Sequence, residues 1–344
     1  METIKGISRI EKEAGKLNSV AIISDGSAVM GIGDTGPEAE LSVLTEKALI
    51  FKSLAGIDAY PIFLKTQSDD ELISAIKSME PTFAGVNLED IAYPSCLYIE
   101  RRLNDILNIP VFHDDMHGTP IVILAGLINA FKITMRDYSK VKIAVNGTGT
   151  VGEAVAKLLR NYGIGEVAMC NKQDATYNGG WDIREAIRDC DVLIDLSGAD
   201  MLSSDDFCKM APESIIFSIS SPRTEIIPHL ARRCNARIIS TCCPDYPNYI
   251  DNRLVFPGFF LGLLAARCTK ITDEMKIAAA DALSGTIKIS DLKDNAIFPD
   301  VFDRRVVQSV ALSVALMAIR SGAAGENVEI IDVSKRIDER ISEL

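Results

Sequence analysis

Short runs of valine and isoleucine alternate with longer segments of helical periodicity along most of the chain. In the first third, such runs predict strands at 19–24, 59–64, 82–88 and 109–112. A helix is predicted from Pro37 to about Leu54, with proline in its first turn, and Ser68 is predicted to cap the next helix. Alternating strands and helices of this kind indicate an α/β fold built on a parallel sheet.

The same alternation resumes after a polar segment at 134–140. Five more strands are predicted at 141–147, 166–170, 191–197, 214–220 and 236–241. Two helical segments, 306–322 and 333–344, close the chain, and the last is amphipathic. A chain of 344 residues is longer than the chains that usually fold around a single hydrophobic core. We therefore expect two domains, covering residues 1–130 and 131–344.

The amino-acid composition excludes some classes of function. The chain has 47% apolar and 24% charged residues and a formal charge of −12, which argues against a basic surface for nucleic acid or anionic membranes. Eight cysteines lack a C-x-x-C pair and are expected to be reduced thiols. The opening residues contain no apolar segment, and no charge-free apolar window of eighteen residues is recognised. We expect a cytoplasmic protein that spans no membrane.

A glycine-rich loop lies between a predicted strand and a predicted helix, in the G-x-G-x-x-G pattern of dinucleotide-binding sites. The predicted cofactor contacts are Gly147, Gly149, Thr150, Val151, Gly152, Asn171 and Lys172. In this pattern the glycines allow a tight turn, close approach to a pyrophosphate and close packing of helix on strand. Asn171 stands where an acidic residue usually binds the ribose, and Lys172 could attract a 2′-phosphate. The second domain is therefore predicted to be of Rossmann type, binding NAD or NADP.

Two pairs of acidic residues follow predicted strands. Glu89 and Asp90 come after the strand at 82–88, and Asp114 and Asp115 come after the strand at 109–112. Open α/β sheets bind ligands at the carboxyl ends of their strands. Each pair taken alone is typical of a solvated loop or helix cap, but clustered carboxylates require a neutralising cation. Hard oxygen ligands favour Mg²⁺ or Mn²⁺.

Lys47 lies within an otherwise apolar helical face. One interpretation is a lysine whose ammonium group extends into solvent along its aliphatic stem. The other is a catalytic base, which requires burial and a nearby cation to lower its pKa toward neutrality. His113 and His117 flank the second acidic pair, and packing or support of neighbouring groups is the expected role of each.

These motifs together resemble the malic enzyme family in its shorter bacterial and archaeal form. The similarity rests on the stretches SDGSAVMGIGDTGPEAELSVLTEKALIFKSLAGIDAYPI, PTFAGVNLEDI, IERRLNDILNIPVFHDDMHGTPIVILAGLINA, NGTGTVG, DYPNYIDNRLVFPGFF and ITDEMKIAAA. They span most of residues 20–280 in the family's order. The resemblance implies an N-terminal malic-enzyme-type α/β domain that holds substrate and metal, followed by the nicotinamide-binding domain.

The resemblance also implies a reaction, the divalent-metal-dependent oxidative decarboxylation of malate to pyruvate and CO₂ with NAD or NADP as hydride acceptor. By matching position, Glu89, Asp90 and Asp115 would bind the metal. Lys47 would take the proton of the C2 hydroxyl, supported by Asp114. A homodimer is implied as well.

Three departures from the family pattern bear on function. The family's usual N-terminal tyrosine segment is not recognised in the chain, and Tyr93 is a candidate substitute for that proton donor. Ser221 stands where a substrate-binding asparagine is usual, although Asn252 matches another substrate contact. Asn171 replaces the ribose-binding acid. Two hypotheses follow: an active enzyme for malate or a related 2-hydroxy acid, and a degenerate or partially active relative that binds a cofactor or partner.

Overall fold

The structure is a computed structural model that describes residues 18–28, 41–170, 182–197, 202–219, 231–234 and 236–344. It forms two compact units. The first comprises Met1–Asp114, Arg253–Ala279 and Phe302–Leu344, and the second Asp115–Asn252 and Ala280–Val301. These limits differ from the predicted division at residue 130: residues 115–130 fall in the second unit, and residues 253–279 and 302–344 fall in the first. Which unit serves substrate and which serves cofactor stays a prediction.

The first unit contains a four-stranded parallel sheet. Its strands are β1 (Ser19–Ser24), β2 (Asp58–Phe63), β3 (Gly85–Leu88) and β4 (Val111–His113). The order is β2-β1-β3-β4, so the direction of progression reverses between β1 and β3. Such a reversal opens a crevice at the carboxyl ends of the two strands. All four strands lie where the sequence predicts them, to within three residues at either end.

Helices of the first unit follow from its apolar periodicity. They are α1 (Leu41–Ala55), α2 (Asp69–Met79) and α3 (Ser95–Ile106). Ser68 caps α2 as predicted, because its Oγ accepts a hydrogen bond from the Glu71 amide at 3.3 Å. The predicted start of α1 at Pro37 lies outside the described residues.

The second unit contains a five-stranded parallel sheet. Its strands are β5 (Lys142–Asn146), β6 (Glu166–Cys170), β7 (Val192–Asp195), β8 (Ile215–Ser218) and β9 (Ile238–Thr241). The order β6-β5-β7-β8-β9 reverses between β5 and β7. Its helices within the described residues include α4 (Thr119–Thr134), α5 (Thr150–Tyr162), α6 (Ile183–Ala186) and α7 (Ser204–Phe207). This is the predicted Rossmann-type arrangement.

Four further helices complete the described chain. They are α8 (Phe256–Ala265), α9 (Asp273–Gly285), α10 (Arg304–Ser321) and α11 (Ile330–Ser342). Helices α8, α10 and α11 belong to the first unit, and α9 begins there. The predicted C-terminal helices are thus confirmed, with α11 burying Val333 and Ile337 on its apolar face.

The segment Asp114–Thr134, which includes α4, bears on whether the chain could cross a membrane, although Asp114, Asp115 and Lys132 leave it without a charge-free window of eighteen residues, as expected. By length and composition this one helix among the described residues qualifies, but 83% of its most apolar window is buried inside the fold. A helix that is apolar on all sides is equally typical of a protein core. Burial accounts for its composition.

One pair of cysteines corrects the expectation of reduced thiols. Cys208 and Cys234 form a disulfide across a separation of 26 residues, with their Cα atoms 4.7 Å apart. Sequence spacing does not reveal this pair because the two residues are distant along the chain. Six other cysteines remain free thiols, four of them buried.

Close packing of α8 on α10 depends on two glycines. A β-carbon on Gly258 would lie 2.8 Å from the Val307 carbonyl oxygen, and one on Gly262 would lie 2.6 Å from the Ala311 carbonyl oxygen. Gly258 and Gly262 are four residues apart, so they lie on one face of α8. Any larger residue there would push the two helices apart.

We therefore expect Gly262→Ala to lower the free energy of unfolding by about 1–3 kcal/mol through overpacking. Gly285→Ala is the matched control, because a β-carbon at Gly285 would meet nothing within 4 Å. The control should be neutral or slightly stabilising, since alanine favours helix. Urea unfolding of both variants measures the difference, and equal stability of the two would contradict the packing argument.

Candidate active site

The first unit brings two of the predicted acidic residues together at the carboxyl end of its sheet. Strands β3 and β4 are neighbours, and Leu88 pairs with His113 in their register. The next residues along the two strands are Glu89 and Asp114, which therefore emerge side by side. Glu89 also lies beside β1, since its amide donates to the Ile23 carbonyl at 2.9 Å. It thus stands at the point where the strand order reverses.

Lys47 reaches this pair from α1. Its Nζ donates a hydrogen bond to Glu89 Oε2 and lies 2.9 Å from Asp114 Oδ1. Only 7% of the lysine side chain is exposed, so it does not extend into solvent. The Phe256 ring of α8 covers the ammonium group, with Nζ 4.7 Å from the ring centroid. Lys47, Glu89 and Asp114 form what we call the buried triad.

The charges of the buried triad do not balance. Burial, together with the charges of Asp114 and Asp90, raises the pKa of Glu89 to about 8, against the opposing effect of Lys47. Burial alone would lower the pKa of Lys47, but Asp114 and Glu89 outweigh it and hold that pKa above its ordinary value. This is opposite to the lowered pKa that the catalytic interpretation of Lys47 requires. The cause is an excess of carboxylates over cations.

Asn87 and the loop after β1 fix the position of the first acidic pair. Asn87 Nδ2 donates to Glu89 Oε2 at 2.9 Å. Ala28 donates its amide to the Asp90 carbonyl at 3.0 Å, and Ser27 Oγ accepts from the Ala92 amide at 2.8 Å. The backbone of Asp90 has a left-handed φ of 47°. These bonds hold the 89–92 turn in place without using the carboxylate of Asp90.

The proposed metal ligands are not preassembled. Within the described ranges, no group of three histidine, cysteine, aspartate or glutamate side chains is arranged to hold a metal ion. Asp90 and Asp115 are half-buried, and Glu89 is buried. The donor chemistry nevertheless fits a hard divalent cation, because the donors are carboxylate oxygens, and the pKa of Glu89 is raised by burial first and then by the charges of Asp114 and Asp90. A cation here would relieve that imbalance.

Tyr93 and His113 lie near this site in sequence but differ in burial. Tyr93 is 57% exposed and makes no hydrogen bond to any residue that the structure describes. His113 is almost fully buried, and burial lowers its pKa, which favours the neutral ring. Neither ring nitrogen of His113 has a hydrogen-bond partner among the described residues. The expectation that His113 packs against or supports neighbouring groups stays a prediction.

The glycine loop of the second unit has the geometry that its pattern predicts. Gly147 adopts a φ of 130°, which favours glycine, and its amide donates to the Cys170 carbonyl at 3.1 Å. A β-carbon on Gly152 would collide with the Gly147 carbonyl oxygen, whereas one on Gly149 would face open space. Gly149 directly precedes α5, which begins at Thr150. The loop therefore offers an open helix N-terminus, the usual place for a dinucleotide pyrophosphate.

Sequence reasoning missed a polar cluster beside this loop. Asn146, at the end of β5, donates to Asp195 Oδ1 at 2.8 Å and to Ser197 Oγ at 2.9 Å. Burial raises the pKa of Asp195 despite these hydrogen bonds. The signal was present, because polar residues interrupt apolar strands at 146 and 195 where the strand order reverses.

The remaining predicted site residues divide into two sets. Asn252 is described, and its Nδ2 donates to Thr119 Oγ1, at the start of α4, at 3.2 Å. Three candidates lie outside the described residues: Asn171, Lys172 and Ser221. Their predicted roles in cofactor and substrate binding stay predictions.

Comparisons with known proteins agree with this geometry. Residues 3–71 match the family model of the malic enzyme N-terminal domain, and residues 169–320 match that of the malic enzyme NAD-binding domain. The Bacillus subtilis bifunctional malic/malolactic enzyme is 41% identical over 96% of this chain and 86% of its own length. The Geobacillus stearothermophilus NAD-dependent malic enzyme is 40% identical over 90% of this chain and 69% of its own length.

A solved structure supports the same relationship. The crystal structure of malic enzyme from Pyrococcus horikoshii has a TM-score of 0.90 and 35% identity, covering 99% of this chain and 86% of that one. Sequence identity at this level over nearly the whole chain indicates a common family and not only a common fold. The chain belongs to the malic enzyme family of NAD(P)-dependent decarboxylating oxidoreductases.

Proposed function

We propose that the chain catalyses the oxidative decarboxylation of malate to pyruvate and CO₂, with reduction of NAD or NADP and dependence on Mg²⁺ or Mn²⁺. The observation that carries this proposal is Lys47, buried between Glu89 and Asp114 at the carboxyl end of a parallel sheet. A buried charge triad costs stability because ion pairs rarely offset their own desolvation, and a functional use would account for its presence. Catalysis supplies that use.

Lys47 is the proposed base. It would accept the proton of the malate C2 hydroxyl at Nζ as the C2 hydride leaves for the nicotinamide. Asp114 keeps the lysine nitrogen oriented through its 2.9 Å contact, and the ring of Phe256 shields it from water. Burial already acts to lower the pKa of Lys47, so a cation bound at Glu89 would remove one of the two charges that hold that pKa above its ordinary value.

Glu89, Asp90 and Asp115 are the proposed metal ligands. A divalent cation held by these carboxylates would neutralise them, polarise the C2 oxygen of malate and stabilise the negative charge that develops as CO₂ leaves. Asn252 and Ser221 are proposed to bind the substrate. Asn252 is oriented for this by its hydrogen bond to Thr119.

Cofactor binding is proposed for the glycine loop with Thr150 and Val151, and for Asn171 and Lys172. Relatives include enzymes named NAD-dependent and enzymes named NADP-dependent, so the proposal includes both cofactors. An ammonium at position 172 would favour the 2′-phosphate of NADP. A homodimer and a cytoplasmic location also stay predictions.

Lys47→Ala tests the base. We expect kcat for malate oxidation to fall by about 100- to 10,000-fold, because proton transfer loses its acceptor. Lys52→Ala is the matched control on the same helix, since Lys52 makes only an exposed ion pair with Asp58 at 2.7 Å. The control should retain activity within about twofold. Reduced cofactor and CO₂ are both measured with Mn²⁺ present.

The same assay decides between the two hypotheses. If the unaltered protein yields neither reduced cofactor nor CO₂ from malate or other 2-hydroxy diacids, the proposed function is wrong and the degenerate relative is favoured. If Lys47→Ala keeps full activity, the base lies elsewhere.

Asp115→Asn tests the metal site. Removing one anionic ligand should weaken Mn²⁺ binding by about tenfold or more and abolish metal-dependent turnover. Asp105→Asn, on an exposed position of α3, is the control and should bind Mn²⁺ normally. Calorimetry measures affinity, and circular dichroism should show both variants folded. Unchanged Mn²⁺ affinity in Asp115→Asn would remove this residue from the ligand set.

Tyr93→Phe tests the proposed donor of the proton to C3. If Tyr93 fills that role, kcat should fall by about 100-fold while the affinity for malate changes little. Its 57% exposure means that the 89–94 turn would have to cover bound substrate. Activity within about twofold of the unaltered protein would exclude Tyr93 as that donor.

A further inference from the structure

The first unit contains a cavity of about 690 Å³ away from the buried triad. Its floor is the last turns of α8, with Leu261, Leu264 and Ala265. One wall is α11, and Arg267, two residues after the end of α8, also lines the cavity. The volume is within the range of small-molecule sites. The floor is apolar and the walls are charged, so the occupant should be amphipathic.

Three arginines line the cavity: Arg267, Arg336 and Arg340. None of them forms an ion pair with a carboxylate among the described residues, and the Nε of Arg267 is buried with no hydrogen-bond partner there. Arg336 donates only to a neutral acceptor, the Ala265 carbonyl, at 2.9 Å. Burial, followed by the charge of Arg267, lowers the pKa of Arg336. The charge of Arg267 therefore acts against the charged form of Arg336.

Acidic residues also line the cavity, and two of them interact with these arginines: the charge of Asp332 acts to raise the pKa of Arg336, and the charge of Arg340 acts to lower the pKa of Asp58. Asp332, Glu339 and Glu343 lie at the exposed rim, whereas the three arginines are half-buried. Asp58 is already bound by Lys52 at 2.7 Å and by Asn18 at 3.0 Å. The cavity thus has four acidic and four basic side chains, with its arginines half-buried and three of its acids at the exposed rim.

The backbone holds two of the arginines in place. Arg267 has a φ of 52°, a left-handed conformation in which glycine is usual after a helix and a larger residue costs about 1 kcal/mol. The stem of Arg340 lies against Gly56, where a β-carbon would come within 2.6 Å of its Cδ. Backbone strain of this kind is found most often at binding and active sites, which supports a binding role for Arg267.

We propose that this cavity binds a small organic oxyanion, with its carboxylate or phosphate group on Arg267, Arg336 and Arg340 and its apolar part on the floor of α8. Guanidinium groups bind both oxyanions through paired hydrogen bonds. The site is distinct from the buried triad and requires no metal or cofactor. Its existence does not depend on malate being the substrate.

Calorimetry on the full chain with hexanoate, hexyl phosphate and hexanol tests the proposal. We expect saturable binding of at least one of the two anions with a Kd of about 1 mM or tighter, and no binding of hexanol. The anion that binds more tightly identifies the preferred head group. The double variant Arg267→Gln/Arg340→Gln should weaken binding at least tenfold, about 1.4 kcal/mol.

Arg320→Gln is the control, because Arg320 is an exposed arginine at the end of α10 in the same unit. It should bind the anion as the unaltered protein does. If the double variant fails to fold, labelling of the arginines of the unaltered protein with phenylglyoxal, with and without the anion, tests the proposal instead. Bound anion should protect Arg267, Arg336 and Arg340 but not Arg320. Absence of saturable binding, or equal binding by a folded double variant, or labelling that the anion does not change, would overturn the proposal.

Discussion

A lysine ammonium buried between two carboxylates is the constraint on which the rest of the first unit depends. Lys47, Glu89 and Asp114 come from one helix and two strands, and only the β3–β4 pairing places the two acids side by side. Removing one partner of such a group leaves an uncompensated buried charge, which costs about 3–5 kcal/mol. The fold must therefore hold all three together, and α8 contributes by placing Phe256 over the ammonium group.

Both units place their chemical groups by the same topological rule. In the first sheet the order reverses between β1 and β3, where Glu89 follows β3. In the second it reverses between β5 and β7, where the glycine loop begins at Gly147 and Asn146 binds Asp195. Parallel strands end at one edge, so each reversal leaves a crevice that side chains from several loops can line. Carboxylates line the first crevice, and backbone amides with small residues line the second.

Local sequence patterns were sufficient to predict the strands, the N-cap of α2 and the geometry of the glycine loop. Valine and isoleucine runs identify buried parallel strands, and the role of Gly152 follows from its spacing. The burial of Lys47 could not be predicted, because it depends on Phe256, more than 200 residues later in the chain. The Cys208–Cys234 pair and the return of the C-terminal helices to the first unit are also long-range contacts. Asn146 and Asp195 were readable as polar ends of apolar strands.

The central claim is that the charge imbalance around Glu89 exists to gather a divalent cation. Diffraction from crystals grown with Mn²⁺ and recorded near the manganese absorption edge tests it most directly. The account predicts an anomalous density peak bound by oxygens of Glu89, Asp90 and Asp115, within reach of a substrate oxygen beside Lys47. An anomalous map with no peak there, and carboxylates that point away from one another, would contradict it.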